Sequence, residues 1–420
     1  MKIDRLFAEN FKGFKVLDLS LEGKSTVLFG INGAGKSSVL DAINMLYAPI
    51  INKITANAFK QIDSLDVSDI KFGESITELH YVTHFGDSGV SRWEFAYSRR
   101  MERKTKKRTH NLKQLEQFAT YFRNNFLIED NDMPIYANYG THRTVHVVPI
   151  RRIREKNDFD KTSAFSKAIV NTIDFKTFFE WYRDRQEYEN HIKINNDSGY
   201  TDLQLSCVKK AILSMLNDLS DIKIMFNPLR MVATKYGENI MIEQLSDGEK
   251  CTLAMIGDLA RRLALANPKS DDPLNGNGVV LIDEIELHLH PSWQAKILKT
   301  LFSTFPNIQF IVTTHSPKVL SELDSDANLF ELSNNNNTIT ANQIPLLNGW
   351  DTSYILGNYM STNPYNSETE VKLNHMFELI QKRQFKEAET LIEGIETITS
   401  SINPEIVKAK ILLARERKGI

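Results

Sequence analysis

The sequence predicts an α/β fold, and three observations support this prediction. Residues 25–29 form a compact β-prone run that leads through a glycine-rich loop into an amphipathic helix over residues 36–47. Two further apolar runs, 279–282 and 308–312, have the length and composition of buried strands. Residues 76–98 alternate between apolar and polar around a Gly-Asp-Ser-Gly tetrad, which is typical of an antiparallel hairpin. We therefore expect a sheet covered by helices, with an antiparallel β-lobe.

Composition limits the class of protein. The chain has 420 residues, of which 41% are hydrophobic and 25% are charged, and this balance excludes global disorder. No apolar run approaches the roughly 18 residues that a membrane helix needs, and the first residues, with Asp4 and Glu9, do not resemble a secretory signal. Only two cysteines occur, Cys207 and Cys251, which excludes a disulfide framework and a Cys-rich zinc site. The expected location is cytoplasmic, without membrane contact.

The charge balance gives no overall reason to expect nucleic-acid binding. The chain has 53 acidic and 51 basic residues, a net charge of −2. Two local clusters are basic, however: residues 99–108 hold seven basic side chains and one acidic one, and residues 151–156 hold four basic ones. Each cluster is either a solvated loop or a surface that contacts DNA phosphates.

The other elements follow from hydrophobic periodicity and from clusters of Gly, Pro, Asn and Asp. Predicted helices cover most of residues 111–193 and residues 248–266, 292–305, 368–398 and 404–418. Predicted strands cover residues 134–139, 222–226 and 240–242. Loops are expected at 195–199 and 267–278, and a hairpin tip at 334–337.

These elements suggest three parts of the chain. A discontinuous head is expected from residues 1–60 and 206–345, a β-lobe with a helical insertion from 61–205, and a C-terminal helical hairpin from 346–420. The helical hairpin has apolar faces and no site motif, so we expect it to dock a partner.

Residues 30–37 match the phosphate-loop pattern GxxxxGK[ST], with a predicted strand before it and a helix after it. Glycines allow backbone amides to curl around a polyphosphate, and the start of the helix points its positive end at the phosphates. Lys36 is expected to reach the β- and γ-phosphates of ATP, and Ser37 is expected to hold Mg²⁺. The residues expected to bind the nucleotide here are Asn32, Gly33, Ala34, Gly35, Lys36, Ser37 and Ser38.

Two further strands supply groups for ATP hydrolysis. The strand 279–282 is expected beside the phosphate-loop strand, where it delivers Asp283 to the Mg²⁺ shell and Glu284 to the attacking water as general base. His315 ends the next apolar strand and is expected to sense the γ-phosphate by hydrogen bonding.

Residues 245–249, Leu-Ser-Asp-Gly-Glu, open the predicted helix 248–266. Ser246 is a good N-cap, and Glu249 follows three residues later as in a capping box. Taken alone, this pattern indicates only a well-formed helix start.

In order and kind, these four motifs resemble those of ABC-type ATPase heads, which are P-loop NTPases. The phosphate loop, the LSxGE signature at 245–249, the Asp283-Glu284 pair and the switch histidine His315 all match. The resemblance implies that two heads dimerise with ATP between them. It also implies that Ser246, Gly248 and Glu249 of one head face the γ-phosphate bound at Lys36 of the other.

The form of the motifs resembles soluble DNA-maintenance and defence heads of the RecF, SMC and OLD types. Sustained heptads are not visible between the phosphate loop and the signature, so no long coiled-coil arm is expected. No TOPRIM nuclease pattern follows His315, where only Asp324-Ser325-Asp326 is similar in composition to its acidic motif. A metal site at Glu286, His288 and His290 is the weaker interpretation, since these residues match the dimer-contact loop of such heads.

Residues 136–143, Tyr-Ala-Asn-Tyr-Gly-Thr-His-Arg, resemble the YYGTxR segment of the Septu-type antiphage ATPase, which is also found in retron systems. The C-terminal helices are similar to that family as well. The resemblance implies a slow ATPase that forms a homodimer or higher homo-oligomer and controls a separate HNH nuclease, with DNA or a retron reverse transcriptase as further candidate partners. The alternatives are a stand-alone RecF-like DNA-repair ATPase and a nuclease in its own right. Residues 139–143 replace the loop that carries a Mg²⁺-contacting glutamine in other heads, and no glutamine stands here.

Overall fold

The structure is a computed structural model. It describes residues 1–55, 65–85, 91–101, 112–129, 131–143, 160–195, 198–323, 326–335, 338–360, 367–398 and 404–418. The basic cluster at 151–156 and most of the one at 99–108 lie outside the described residues, as do the predicted hairpin tetrad and Asp324-Ser325.

Thirteen strands occur in the described residues. They are β1 (Lys2–Phe11), β2 (Phe14–Ser20), β3 (Thr26–Phe29), β4 (Ile76–Phe85), β5 (Ser91–Arg100), β6 (Ile135–Tyr139), β7 (Leu219–Phe226), β8 (Leu229–Lys235), β9 (Glu238–Met241), β10 (Gly278–Ile282), β11 (Ile308–Thr314), β12 (Asn328–Asn335) and β13 (Thr338–Ile344).

The same ranges contain twelve α-helices. They are α1 (Lys36–Ile54), α2 (Leu112–Phe122), α3 (Phe175–Asn195), α4 (Leu203–Met215), α5 (Asp247–Ala266), α6 (Pro291–Gln294), α7 (Ile297–Thr304), α8 (Pro317–Ser321), α9 (Thr352–Tyr359), α10 (Ser367–Gln381), α11 (Phe385–Ile398) and α12 (Pro404–Lys418).

Ten strands form one mixed sheet in the order β5-β4-β1-β2-β13-β12-β3-β11-β10-β6. The pairs β12/β3, β3/β11, β11/β10 and β10/β6 are parallel, whereas β1, β2, β4 and β5 pair antiparallel. The α/β fold and its antiparallel lobe are therefore confirmed. The strand β6 comes from the predicted insertion, yet it forms an edge of this sheet.

The prediction of which strand lies next to the phosphate-loop strand β3 was wrong. The sequence places residues 279–282 beside the phosphate-loop strand, but β11 lies between β3 and β10. All three strands are short and fully buried, so their composition does not distinguish one order from another. The register nevertheless aligns their carboxyl ends: Phe29 pairs with Thr314, and Ile282 pairs with Val312 and Tyr139. The residues that follow β3, β11, β10 and β6 thus start from one edge of the sheet.

The helix predictions hold for α5 and α12, whereas α1 begins at Lys36 as predicted but continues to Ile54 instead of ending near residue 47. Two other helix predictions need correction. Residues 292–305 form two helices, α6 and α7, and the Gln294 amide holds α6 against the preceding loop by donating to Leu289 O over 2.9 Å. Residues 368–398 also form two helices. There, Arg383 adopts a left-handed φ of 58° and Gln384 N donates to Leu379 O, a hydrogen bond that closes α10. The strand β8 in the separate sheet β7-β8-β9 was not predicted.

A buried charged cluster lies on α5. The Asp258 carboxylate accepts hydrogen bonds from Arg261 at 2.6 Å, Arg262 at 2.7 Å and the Tyr139 hydroxyl at 2.9 Å. Burial alone would raise the pKa of Asp258, but the charges of Arg262 and Arg261 outweigh it and lower this pKa to about 2. Arg262 also donates to Ala164 O, so the cluster joins α5 to the segment after β6.

Replacing Asp258 by asparagine is expected to destabilise the fold by about 3–5 kcal/mol, because two buried guanidinium groups lose their countercharge. A thermal scan should show the melting temperature falling by roughly 5–10 °C. The control is Glu322→Gln, which removes the exposed partner of Lys318 and should change stability by less than about 1 kcal/mol. Equal melting temperatures for Asp258→Asn and the parent chain would contradict the prediction.

Residues 351–420 form a second compact unit, separate from residues 1–350. Within this unit α10, α11 and α12 enclose a small apolar core that includes Leu373, Met376, Ile392, Ile406 and Ala409. Among the helices that the structure describes, none is both long and apolar enough to cross a bilayer.

Candidate functional site

The phosphate loop leaves β3 and enters α1 as the sequence predicts. Gly33 and Gly35 adopt left-handed φ angles of 78° and 88°, a region that favours glycine. A Cβ on Gly35 would lie 2.8 Å from Ile339 Cδ1, so this position also has no room for a side chain. Asn32, Gly33 and Ser37 are exposed, whereas Ala34 is buried. The loop is therefore open to a ligand on one side and packed against the sheet on the other.

Lys36 is folded over its own loop. Its side chain is only 5% exposed, and Nζ donates to Gly30 O at 2.9 Å and Ile31 O at 3.0 Å. Burial lowers the pKa of Lys36 to about 8, against the opposing effect of nearby carboxylates that include Asp283 and Glu284. Among the described residues, the hydrogen-bond acceptors of this buried ammonium are carbonyl groups of the loop, and phosphate oxygens can take their place.

Ser37 and Asp283 meet although they are far apart in sequence. Ser37 Oγ donates to Asp283 Oδ2 at 2.9 Å, and Thr313 Oγ1 donates to Asp283 Oδ1 at 2.5 Å. The backbone of Asp283 is fixed as well, because its N–H donates to Tyr139 O at 2.8 Å. A hydroxyl next to a carboxylate at the mouth of a phosphate loop fits Mg²⁺, which takes few protein ligands beside substrate phosphates.

Glu284 follows in a left-handed conformation with a φ of 48°. Its N–H donates to Thr313 Oγ1 at 2.8 Å, and the guanidinium of Arg143 donates to its carbonyl oxygen. The next residue returns to the sheet, since Ile285 N donates to Thr313 O at 3.0 Å. The backbone of Glu284 is therefore held from both sides, and the residue is half-buried.

His315 begins the segment after β11, and Glu286 fixes it. His315 N donates to Glu286 Oε1 at 2.5 Å, and Thr314 Oγ1 donates to Glu286 Oε2 at 2.7 Å. Burial, followed by the charge of Lys36, lowers the pKa of His315, which favours a neutral imidazole at physiological pH. His315 lies beside the phosphate loop because it follows Thr314, which pairs with Phe29, the last residue of β3.

The weaker metal interpretation of Glu286, His288 and His290 finds no support in these contacts. Both oxygens of Glu286 are engaged by the segment at 314–315, and His290 caps α6 by accepting from Ser292 N. Within the described ranges, no group of three or more His, Cys, Asp or Glu side chains could hold a metal ion.

The signature segment has the predicted capping box. Ser246 Oγ accepts from Glu249 N, and Glu249 Oε2 accepts from Ser246 N at 2.9 Å. Lys235 donates to the other oxygen of Glu249 at 2.5 Å. Gly248 is in close contact with the backbone, since a Cβ there would lie 2.4 Å from His288 O. No hydrogen bond between described residues joins 245–249 to the phosphate loop of the same chain.

Three residues that sequence reasoning did not assign to the site are part of it. Thr313 and Glu286 fix Asp283, Glu284 and His315, and Arg143 binds the backbone of the acidic pair. The Thr-Thr-His run at 313–315 and the arginine of the 136–143 segment were the available signals. Which residues Thr313, Glu286 and Arg143 contact depends on the order of the strands, and the sequence did not predict that order.

Comparisons with known proteins show the family to which the chain belongs. Residues 25–321 match the AAA_21 family, described as "AAA domain, putative AbiEii toxin, Type IV TA system". The chain is 30% identical to the "Retron Ec83 probable ATPase" of Escherichia coli, covering 80% of this chain and 72% of that protein. It is 23% identical to the "Septu protein PtuA" of Bacillus thuringiensis, covering 76% and 72% respectively.

Among solved structures, the crystal structure of an SMC head bound to the C-terminal winged-helix domain of ScpA is 16% identical to this chain. The match has a TM-score of 0.49 and covers 82% of this chain and 99% of the other. The family match spans the phosphate loop, the signature, the Asp283-Glu284 pair and His315. The chain is an ATPase that belongs to the AAA_21 family, and it is similar to proteins named for retron and Septu systems.

Proposed function

We propose that this chain is the ATPase subunit of an antiphage defence complex, in which slow ATP hydrolysis by paired heads controls a separate HNH nuclease. The observation that carries the proposal is the Ser37–Asp283 hydrogen bond of 2.9 Å. It joins the phosphate loop to an acidic pair 246 residues later in the chain. The retron and Septu relatives support the assignment to defence.

Each group at the edge of the sheet has a role in this proposal. Backbone amides of the phosphate loop cradle the phosphates, and Lys36 binds the β- and γ-phosphate oxygens. Ser37 and Asp283 hold Mg²⁺, which compensates the charge on the phosphates. The other loop residues proposed to line the nucleotide site are Asn32, Gly33, Ala34, Gly35 and Ser38.

Glu284 is the proposed general base. It accepts a proton from water while the water oxygen bonds to the γ-phosphorus, and the bond from phosphorus to the bridging oxygen breaks to release ADP. His315, held neutral, donates a hydrogen bond to a γ-phosphate oxygen and so distinguishes ATP from ADP.

The signature supports dimerisation. The amino end of α5 carries Ser246 and Gly248. The first N–H groups of a helix have no acceptor within the helix, and the helix dipole is positive at this end, so it favours an anion. Glu249 contacts Ser246 and Lys235, so it shapes this end and does not itself need to touch the nucleotide. We propose that the γ-phosphate bound at Lys36 of a second copy is that anion.

The C-terminal unit is proposed to dock the nuclease. It has a core of its own, and α12 exposes Val407 and Ile411 by 43% and 64% on one helical face. The residues proposed for ATP hydrolysis all lie in the head. The C-terminal unit is therefore proposed to act as a binding surface. An exposed apolar pair on a small helical unit fits a protein interface.

We expect deletion of residues 368–420 to leave ATP binding intact and to abolish co-purification of the nuclease encoded beside this chain. The double substitution Val407→Asp and Ile411→Asp tests the same surface without removing the core, and should give the same loss. Val16→Asp, an exposed apolar residue on β2 with 52% exposure, is the control. Retention of the nuclease by both tail variants would place its docking surface elsewhere.

If no nuclease co-purifies with the parent chain and the chain alone binds DNA, the stand-alone repair alternative replaces this proposal.

A further inference from the structure

Arg143 occupies an unusual place beside the acidic pair. It follows β6 by four residues and is only 4% exposed. Its Nη2 donates to Asp283 O at 2.6 Å and also to Glu284 O. Arg143 has no ion pair of 4 Å or less with a carboxylate among the described residues. Its hydrogen bonds to oxygen acceptors therefore go to two successive carbonyl groups.

The backbone at Glu284 has an unfavourable conformation that hydrogen bonds must hold in place. Glu284 has a φ of 48°, and a left-handed conformation at a residue with a Cβ costs free energy. Thr313 holds the N–H side of this residue, and Arg143 holds its carbonyl side. Without a donor at the carbonyl group, the peptide after Glu284 can rotate towards an ordinary conformation and move the carboxylate away from the phosphate loop.

Arg143 also contacts the signature helix. Its Nη1 lies 3.6 Å from Met255 Sδ, and Cys251 Sγ donates to its carbonyl oxygen at 3.2 Å. Both partners are on α5, roughly one and a half and two and a half turns after Ser246. The guanidinium thus fills the space between α5 and the Asp283-Glu284 turn.

We propose that Arg143 is a positioning residue for ATP hydrolysis: it holds the carbonyl groups of Asp283 and Glu284 and thereby keeps the Glu284 carboxylate aimed at the attacking water. The proposal rests on the proposed role of Glu284 as base. Arg143 acts through the backbone and touches no reacting atom. Both hydrogen bonds come from Nη2, and the same rigid planar group also contacts Met255 through Nη1. A lysine ammonium can donate to the carbonyl groups but lacks this second contact, so it is held less firmly.

The test compares Arg143→Lys and Arg143→Gln with the parent chain. We expect kcat to fall about 10-fold for lysine and about 100-fold for glutamine, since a small displacement of a catalytic group costs this much in rate. The Kd for ATP, measured by calorimetry, should stay within about twofold because Arg143 is buried behind the acidic pair. Partial activity of the lysine variant is expected, as it keeps a donor and the charge.

A matched control is Arg123→Lys. Arg123 also donates to two successive carbonyl groups, those of Lys53 and Ile54, but at the far end of α1. It should leave kcat unchanged. If Arg143→Gln does not fold, as judged by circular dichroism and thermal melting, the lysine variant alone carries the comparison.

A double-mutant cycle with Glu284→Gln shows whether Arg143 acts through Glu284. In the Glu284→Gln background, Arg143→Lys should cause no further loss of the residual rate. Additive losses, an unchanged kcat in Arg143→Lys, or a Kd that rises in parallel with the fall in kcat would each overturn the proposal. A parental rate in Glu284→Gln alone rejects the base and the proposal together. A slow Glu284→Gln with an unaffected Arg143→Lys rejects only the role of Arg143.

Discussion

Replacing Glu284 by glutamine is expected to leave ATP binding intact and to slow ATP hydrolysis by at least about 100-fold. The amide has nearly the same shape, so the left-handed backbone and its hydrogen bonds to Thr313 and Arg143 remain. It cannot accept a proton from water, however. Phosphate release measures the rate, and binding of a fluorescent ATP analogue measures affinity.

The same variant tests dimerisation. With hydrolysis blocked, heads joined across bound ATP should accumulate, and the chain should elute earlier from a sizing column when ATP and Mg²⁺ are present. Glu238→Gln, an exposed glutamate on β9, is the control for loss of one negative charge. A parental hydrolysis rate in Glu284→Gln would remove Glu284 as the base. A slow variant that never changes its elution volume would remove the ATP-joined dimer.

Lys36→Ala should weaken ATP binding by at least about 100-fold. The ammonium can make charge-assisted hydrogen bonds to two phosphates, and bonds of this kind contribute about 1.5–3 kcal/mol each. Titration calorimetry with ATP measures the loss directly. The alanine also removes the donor that Gly30 O and Ile31 O share.

The control for Lys36→Ala lies on the same helix. Lys53 is in the last turn of α1 and pairs with Glu116 at the surface over 3.2 Å. Lys53→Ala removes the same side chain and charge far from the loop, and should leave ATP affinity unchanged. Equal affinity of Lys36→Ala and the parent chain would mean that the nucleotide binds somewhere other than the phosphate loop.

Local features of the fold could be predicted from the sequence. The loop at 30–37 and the capping box at 245–249 depend on residues close together in the chain, so their geometry follows from short-range rules. The order of β3, β11 and β10 depends instead on packing between distant segments with similar apolar composition. For this reason the adjacent strand was misassigned.

The supporting residues of the site were beyond sequence reasoning for a related cause. The role of Arg143 becomes visible only once β6 is known to lie beside β10, because that neighbour brings the arginine to the carbonyl groups of Asp283 and Glu284. Similarly, Thr313 reaches Asp283 because β11 pairs with β10. In the tail, the left-handed Arg383 replaces the glycine that commonly ends a helix, so the break before α11 has no compositional signal.

The hydrogen bonds of Lys36 to Gly30 O and Ile31 O have a thermodynamic consequence. Immobilising a free lysine side chain costs up to about 2 kcal/mol of conformational entropy. Here that loss occurs during folding, so an arriving polyphosphate exchanges acceptors around an ammonium that is already ordered. Preorganisation of this kind moves the entropic cost from binding to the stability of the loop. It corresponds to a gain in affinity for ATP of up to about 30-fold over a lysine that is disordered before binding.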